Sequence, residues 1–471
     1  MTLHRTSSRA SSVGGLAMRA VAFLVALSIA ACSDGSTSTV TATPSLDAQV
    51  RQAMNGWGVV PILPVNTQDP ASVDLGRSLF FDKILSGNRD VACASCHSPL
   101  AHTGDGLSLA VGTGAVQVGA TRALGPGRQF TPRNAPSLLS AGLQPFYLFW
   151  DGRVSETGGV GSRFATPAGS ALPTGLTTVL AAQAMIPVTN RVEMRGNVGD
   201  RDVFGNLNEL AQPADSQFTD IWNAIMKRVL SVPAYVQKFA AAYPSVPASQ
   251  LGFQHAANAI AAFEMQVFTK VNSAFDRYLA RDDNALSVDA KRGALLFFGK
   301  ARCSQCHNGP RLGGESFASI AVPQLGPGTG VSAPLDAGRG DPSIGGQPLF
   351  PRFFFRIPPL RNVELTGPYM HDGAYATLEA VVHHYNNVDS AVKAYDVTQL
   401  DPSLRATYHG DAATIKALLA SLDSRLQQPL GLSEDELKTL VAFLESLTDP
   451  SARDMSSVIP SSVPSGLPVP E

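Results

Sequence analysis

The sequence predicts a mainly α protein made of two similar helical domains, each built around one Cys-x-x-Cys-His pentapeptide, with long loop insertions. Three observations lead there. The pentapeptide occurs twice, at Cys93–His97 and Cys303–His307. A short helix with matching Gly and Leu positions precedes each copy. Finally, 42 glycines and 33 prolines against only 16% charged residues indicate short helices joined by turn-rich connections. A chain of 471 residues exceeds what one core usually holds, so at least two domains are expected. A hydrophobic content of 44% supplies real cores and excludes wholesale disorder. The net charge of −2 argues against nucleic acid as a partner, because counterion release needs a basic surface. Beyond the N-terminus there is no run of about eighteen apolar residues, which excludes a multi-spanning membrane protein.

Residues 1–31 carry Arg5, Arg9 and Arg19 without an acidic residue, and then an apolar stretch from Ala20 to Ala31. That order is a secretory signal, too short to span a bilayer comfortably. It runs into Ile29-Ala30-Ala31-Cys32, which resembles a bacterial lipobox, so Cys32 is expected to carry lipid; ordinary cleavage with a spare thiol is the alternative. The Ser/Thr-rich stretch that follows reads as a flexible tether over 32–48. Ser33, rather than an aspartate, after the cysteine points to a periplasmic protein held at the outer membrane by its lipid alone.

The N-terminal domain is expected over 49–283, the C-terminal one over 284–450, and a disordered tail over 451–471. Ser72–Phe81 reads as a capped helix with Leu75, Leu79 and Phe80 on one face, and Ser287–Phe298 repeats it, Gly293 and Leu296 matching Gly76 and Leu79. Gln217–Leu230, Pro233–Tyr243 and Gly252–Leu279 read as amphipathic helices packing across the joint. Ser433–Glu436 is a capping box, followed by Leu437, Leu440, Val441, Leu444 and Leu447 at helical spacing.

Each pentapeptide has the c-type haem attachment pattern: two thiols add across two vinyl groups of one porphyrin, and the adjacent histidine reaches the iron. One such motif could be a redox dithiol or half a zinc site, but two copies in an exported chain leave no cysteine over for tetrathiolate zinc, and a disulfide at each would leave both trailing histidines unexplained. Two covalent haems are therefore expected, on Cys93, Cys96 and Cys303, Cys306, with His97 and His307 as iron ligands. A helix ending just before such a motif opens a cytochrome c domain, so two of these are expected.

Across roughly Leu75 to Leu447 the chain resembles the bacterial di-haem cytochrome c peroxidases and their MauG-like relatives. The stretches that carry the resemblance are Thr131–Ser137, Phe149–Arg153, Gln183 through Glu193-Met194, Asn272–Tyr278 and Pro359–Gly373. The resemblance implies that the first haem is the peroxide site and the second the electron-transfer site. Glu193 would stand above the first haem, with Gln183 and Pro187 shaping the same loop. A carboxylate there can take the proton from the inner peroxide oxygen and deliver it to the outer one; a solvated loop glutamate is the plain alternative. Trp150 matches an indole between the haems, although it also belongs to an aromatic run that suits a core. Asn134, Thr366 and Pro368 match an inter-domain calcium site, whose oxygen donors suit a hard cation.

Two departures from the classical pattern stand out. The classical loop histidine that blocks the first iron falls near Thr113, and 107–133 contains no histidine; His102 is the nearest candidate and lies too close to His97 to swing over. The first haem is therefore expected to be open without prior reduction. At the sixth position of the second haem, where peroxidases place methionine and MauG-like enzymes tyrosine, this chain has Tyr385, with His383, His384 and Met370 as rivals. A phenol oxygen favours ferric and higher states over ferrous iron. Two stretches, Gly158–Thr178 and Gly313–Phe350, are insertions expected to line a binding face or stay mobile. The implied activity is reduction of hydrogen peroxide to water with electrons from a small cytochrome c or cupredoxin. The alternatives are a MauG-like oxidase modifying residues of a partner protein through a bis-ferryl state, and a non-catalytic di-haem carrier.

Overall fold

Asp69 starts the first long helix, Pro70–Phe81: its carboxylate accepts the Ser72 N–H at 2.8 Å and Pro70 takes the first helical position, where no N–H is needed. The helix therefore begins before Ser72, because an aspartate followed by proline is the better cap. In this computed structural model residues 43–63, 65–144, 146–156, 163–343 and 350–470 are described. The leader 1–31, the lipidation candidate Cys32, most of the tether and parts of both insertions lie outside the described residues.

The described chain is mostly helical, with two short antiparallel ribbons. Tyr147–Leu148 pairs with Val154–Ser155, and Phe317–Ala318 pairs with Phe355–Arg356. Two hydrophobic cores repeat one arrangement. In the first, Pro70–Phe81 crosses Phe253–Phe268; in the second, Val288–Phe298 crosses Glu434–Glu445. Glycine sits at both crossings. A Cβ on Gly76 would lie 1.9 Å from the Ala259 carbonyl oxygen, and one on Gly293 would lie 1.9 Å from that of Thr439. Only a hydrogen fits where the backbones meet, so the Gly76–Gly293 match in the sequence marks the same helix–helix contact twice. Leu75, Leu79 and Phe80 are fully buried in the first core, and Leu437, Leu440, Val441, Leu444 and Leu447 are buried in the second. Truncating one such leucine to alanine costs about 2–5 kcal/mol.

Several expectations change. The stretch 252–279 is two helices rather than one. Phe253–Phe268 belongs to the first core, the chain leaves the helix at Thr269, and Ser273 and Asp276 form a capping box that starts Ala274–Leu279, which packs in the second core. Phe218–Leu230 and Pro233–Ala242 bury their apolar faces in the first core instead of bridging the two. The tether ends earlier than residue 48: Ser45 caps a helix over Leu46–Met54, whose Val50 and Met54 are buried in the second core. Nor is the tail disordered. Ala452, Met455, Val463 and Leu467 are buried against the first core, the Val458 carbonyl accepts from Arg77 Nε at 2.8 Å, and Ser465 Oγ donates to Asp82 at 2.6 Å. Widely spaced apolar residues among Ser and Pro gave no periodic signal, yet they suffice to dock a strap. Each end of the described chain thus packs on the core to which the rest of its half does not belong.

Candidate active site

Cys93–Cys96 is one helical turn leading directly into His97. His97 Nδ1 donates to the Thr103 carbonyl at 3.1 Å, and since a carbonyl only accepts, the proton sits on Nδ1 and the Nε2 lone pair is free to bind a metal. The second motif repeats this. His307 N–H bonds the Cys303 carbonyl at 2.8 Å, and His307 Nδ1 donates to the Leu312 carbonyl at 3.1 Å. Burial lowers both histidines, His307 to about 4, so both are neutral imidazoles, the form that ligates. The four cysteines of the two motifs are free thiols, which removes the disulfide alternative. Burial pushes Cys93 and Cys303 up to about 12 and Cys96 to about 11. Neutral, unpaired thiols beside an oriented imidazole, twice over, form the donor set that covalent haem requires.

Cys93, Cys96 and His97 open into a cavity of about 1660 Å³, beyond the roughly 300–1,000 Å³ of ordinary ligand pockets. The same cavity is lined by Gln183, Pro187, Glu193, Trp150 and Asn134, so the structure brings together most of the residues singled out for the first site. Glu193 stands on a single π turn, Arg191–Arg195. Asn190 Oδ1 accepts the N–H groups of Val192 and Glu193 at 2.9 and 3.2 Å, and the Glu193 carbonyl accepts from Thr113 N at 2.9 Å. Gly112 lies against this turn so closely that a Cβ would sit 1.9 Å from the Val192 carbonyl oxygen. The backbone beneath Glu193 is therefore clamped without use of its carboxyl. Burial raises that carboxyl above the usual range, opposed by Arg153 and Arg133.

Thr113, at the place of the classical loop histidine, is buried and donates to Asp90 at 2.8 Å. His102 adopts the left-handed region and its Nδ1 donates to the Ala452 carbonyl at 3.1 Å, tying it to the C-terminal strap. Trp150 Nε1 donates to the Asn134 carbonyl at 3.0 Å, while its own carbonyl accepts from Arg356 N at 2.7 Å. The indole is thus held at the seam where the strand from the second half joins the cavity wall. Asn134 Nδ2 donates to the Leu107 carbonyl at 2.7 Å, and the Thr366 hydroxyl donates to the Val363 carbonyl at 3.0 Å. Among the described residues no group of three or more His, Cys, Asp or Glu could hold a metal ion, so a calcium site here would depend on amide and carbonyl oxygens, with Pro368 contributing its backbone.

At the second motif, Tyr385 lies on the helix Leu378–Asn386 and packs in the same apolar cluster as Cys303. Burial, and then the nearby Cys306 and Cys303 sulfurs, push its phenol well above the ordinary range. The rivals point elsewhere. His384 Nε2 donates to the Ile320 carbonyl at 2.7 Å and its Nδ1 accepts from the Tyr375 hydroxyl at 2.8 Å; His383 lies half-exposed 3.5 Å from Glu434; Met370 packs beside Tyr375 in a separate cluster.

Three features escaped the sequence. Arg133 is buried between Asp151 at 2.5 Å and Asp336 at 2.6 Å, and Arg153 shares Asp151 at 2.9 Å. Arg122 donates to the Ser95 carbonyl at 2.9 Å and to Cys96 Sγ at 3.3 Å. Glu264 lines the cavity with one oxygen unpartnered, and burial raises its carboxyl to about 8. The insertions, expected to line a binding face or stay mobile, both wall this cavity, through Arg163 and Leu176 from the first and Thr329, Arg339 and Ser343 from the second. Arg133, Asp151 and Arg153 stand in motifs that were legible; their partner Asp336 lies in an insertion without a pattern.

The sequence profile of the di-haem cytochrome c peroxidase family matches residues 70–284. The chain is 30% identical over 431 residues to the methylamine utilization protein MauG of Methylorubrum extorquens, covering 91% of this chain and 92% of that protein. It is 32% identical over 330 residues to the cytochrome c551 peroxidase of Nitrosomonas europaea, covering 68% and 75%. A crystal structure of a MauG-like protein associated with microbial copper homeostasis superposes with a TM-score of 0.55 at 25% identity, covering 85% of this chain and 96% of that one. The diheme peroxidase BthA from Burkholderia thailandensis shares the fold with a TM-score of 0.54 at 21% identity. Two haem-attachment motifs with oriented histidines, one opening into a large cavity that a half-buried glutamate also lines, agree with these likenesses: the chain belongs to the di-haem cytochrome c peroxidase and MauG family of peroxidase-type oxidoreductases.

Proposed function

We propose that the protein is a di-haem peroxidase that reduces hydrogen peroxide to water with electrons from a small periplasmic cytochrome c or cupredoxin. The observation that carries this reading is Glu193, whose half-buried side chain lines one cavity with His97, Cys93 and Cys96 on a backbone fixed from three sides. Two c-type haems, one in each of two cytochrome c domains, would be held by Cys93, Cys96 and His97 and by Cys303, Cys306 and His307, and would supply the peroxide-binding iron and the electron relay. Glu193, held above the ordinary carboxylate range, takes the proton from the inner oxygen of bound peroxide and returns it to the outer oxygen so that water leaves. Gln183 and Pro187 shape the space around it. Trp150 shortens each electron hop between the two halves. Arg133 holds Asp151 and Asp336 across the seam, which fixes the wall that carries Trp150. Asn134, Thr366 and Pro368 offer oxygen donors to a calcium ion between the halves. Lipid on Cys32 would hold the enzyme at the outer membrane; no helix among the described residues is long and apolar enough to cross a bilayer.

A second reading, an oxidase that turns the same oxidising equivalents on residues of a partner protein, is favoured by two observations: Tyr385 stands beside the second motif, and Thr113 occupies the place of a blocking histidine. One experiment separates the two. The diferric holoprotein is mixed with hydrogen peroxide and a reduced small cytochrome c. Rapid, repeated oxidation of the cytochrome supports the peroxidase; a long-lived near-infrared charge-resonance band without cytochrome turnover supports the oxidase.

A further inference from the structure

Beyond Tyr385 the structure holds a row of aromatic rings that neither reading uses. The His384 ring lies 5.8 Å from Tyr385, Tyr375 lies 5.1 Å from His384, Tyr395 lies 5.6 Å from Tyr375, and Tyr408 lies 5.2 Å from Tyr395, all between ring centroids. Tyr375 is buried, at 4% exposure, whereas Tyr395 and Tyr408 are half-buried, so the row runs from the second haem-attachment motif toward solvent. Every spacing is within the 4.5–7 Å of interacting aromatic pairs.

One member differs from the rest. The Tyr375 hydroxyl donates to His384 Nδ1 at 2.8 Å. The donor direction is fixed, because His384 Nε2 must carry the proton it gives to the Ile320 carbonyl at 2.7 Å, which leaves Nδ1 only a lone pair. A phenol that loses an electron becomes a strong acid, and it stays oxidised in a buried site only where a base already holds its proton. The Tyr395 hydroxyl donates to a carbonyl, that of Ala374, which cannot take a proton.

We propose that Tyr375 is a second oxidisable site of this protein, paired with His384 and connected through Tyr395 and Tyr408 to the surface. The proposal rests on the peroxidase reading, since peroxide is the oxidant. In the step, Tyr375 gives one electron toward the second motif and its hydroxyl proton moves to His384 Nδ1, leaving a neutral phenoxyl radical and an imidazolium. A one-electron donor of the small redox-protein class, arriving at Tyr408, returns the electron by way of Tyr395, and the proton goes back from His384 to the Tyr375 oxygen. Two such cycles deliver the two electrons that one peroxide molecule takes; because the proton on His384 returns to Tyr375 each time, the two protons that complete the two water molecules come from solvent.

The test is freeze-quench electron paramagnetic resonance of the holoprotein after mixing with hydrogen peroxide, made once with natural and once with ring-deuterated tyrosine. The expected result is a radical signal whose hyperfine structure collapses on tyrosine deuteration and which is lost in Tyr375→Phe, a change that keeps the ring and removes only the hydroxyl. Should that variant not retain both haems, Tyr395→Phe serves: the radical then forms but outlives that of the parent when reduced cytochrome is added. Haems that respond optically to peroxide without any tyrosine-derived signal, or a signal unaltered by these substitutions, would overturn the proposal alone. Haems that do not respond to peroxide at all would remove the peroxidase reading and this proposal with it.

Discussion

Replacing Glu193 by glutamine is the sharpest perturbation of the first site, because the contacts that hold the residue use its backbone alone. Asn190 Oδ1 receives the N–H groups of Val192 and Glu193, Thr113 donates to the Glu193 carbonyl, and Gly112 packs on the turn. Glutamine keeps the volume and those bonds while removing the proton-accepting oxygen. A positioned acid–base group contributes about 10²–10⁴-fold, which corresponds to about 2.7–5.4 kcal/mol of barrier. The expected result is a fall of that size in peroxide reduction, with no loss of thermal stability. The sign of the pH dependence follows from the same geometry. Glu193 must be ionised to accept the proton, and burial raises its carboxyl above 4.5 despite Arg153 and Arg133. Parental activity should therefore fall as pH drops through a limb lying above the ordinary glutamate range, and the glutamine variant should show no such limb. Steady-state oxidation of reduced cytochrome c at saturating peroxide across pH 4–8 measures both. A variant as fast as the parent, or one that keeps the acid limb, would refute the assignment.

Three further outcomes are expected. Arg133→Met leaves Asp336 buried without its cation, and Asp151 with Arg153 alone; breaking a buried pair of this kind costs about 3–5 kcal/mol, measurable as a lower denaturant midpoint. Glu264 is raised by burial to about 8 from an ordinary 4.5, so its contribution to stability is fully present below about 4.5 and is lost as pH rises through 8. Between those values the parent should lose stability relative to Glu264→Gln by at most about 1.4 kcal/mol per pH unit, read from denaturation curves at pH 5 and pH 8. Truncation after Pro450 uncovers the sites of Met455, Val463 and Leu467 and frees Asp82 from Ser465, and should destabilise the first core by several kcal/mol, at about 1.5–3 kcal/mol for each large apolar side chain lost, with calorimetry as the check.

What the sequence made legible was whatever chemistry confines to a short window. The CxxCH pentapeptides need adjacent residues to reach one porphyrin, and the capped helices before them repeat because the same crossing is built twice; Gly76 and Gly293 stood out for that reason. Glu193 and Trp150 could be placed only through resemblance, since one carboxylate and one indole in loops carry no pattern of their own. Arg133 shows where the reading ends: its motif was visible, but a buried ion pair with Asp336 joins residues far apart in the chain, and no periodicity reports that. The tail misled for the opposite reason. Its composition is that of a disordered segment, yet four apolar residues, each finding a site on the first core, with side-chain bonds from Arg77 and to Asp82, outweigh composition. The break at Thr269 was hidden by continuous apolar spacing, although the Ser273–Asp276 capping box stood in plain view.

The most direct measurement is the stopped-flow optical spectrum of the diferric holoprotein mixed with hydrogen peroxide, without any added reductant. An accessible first site, with Thr113 anchored where a blocking histidine would stand and His102 bound to the C-terminal strap, predicts a prompt spectral change. A spectrum that stays still until one electron has been supplied would contradict it.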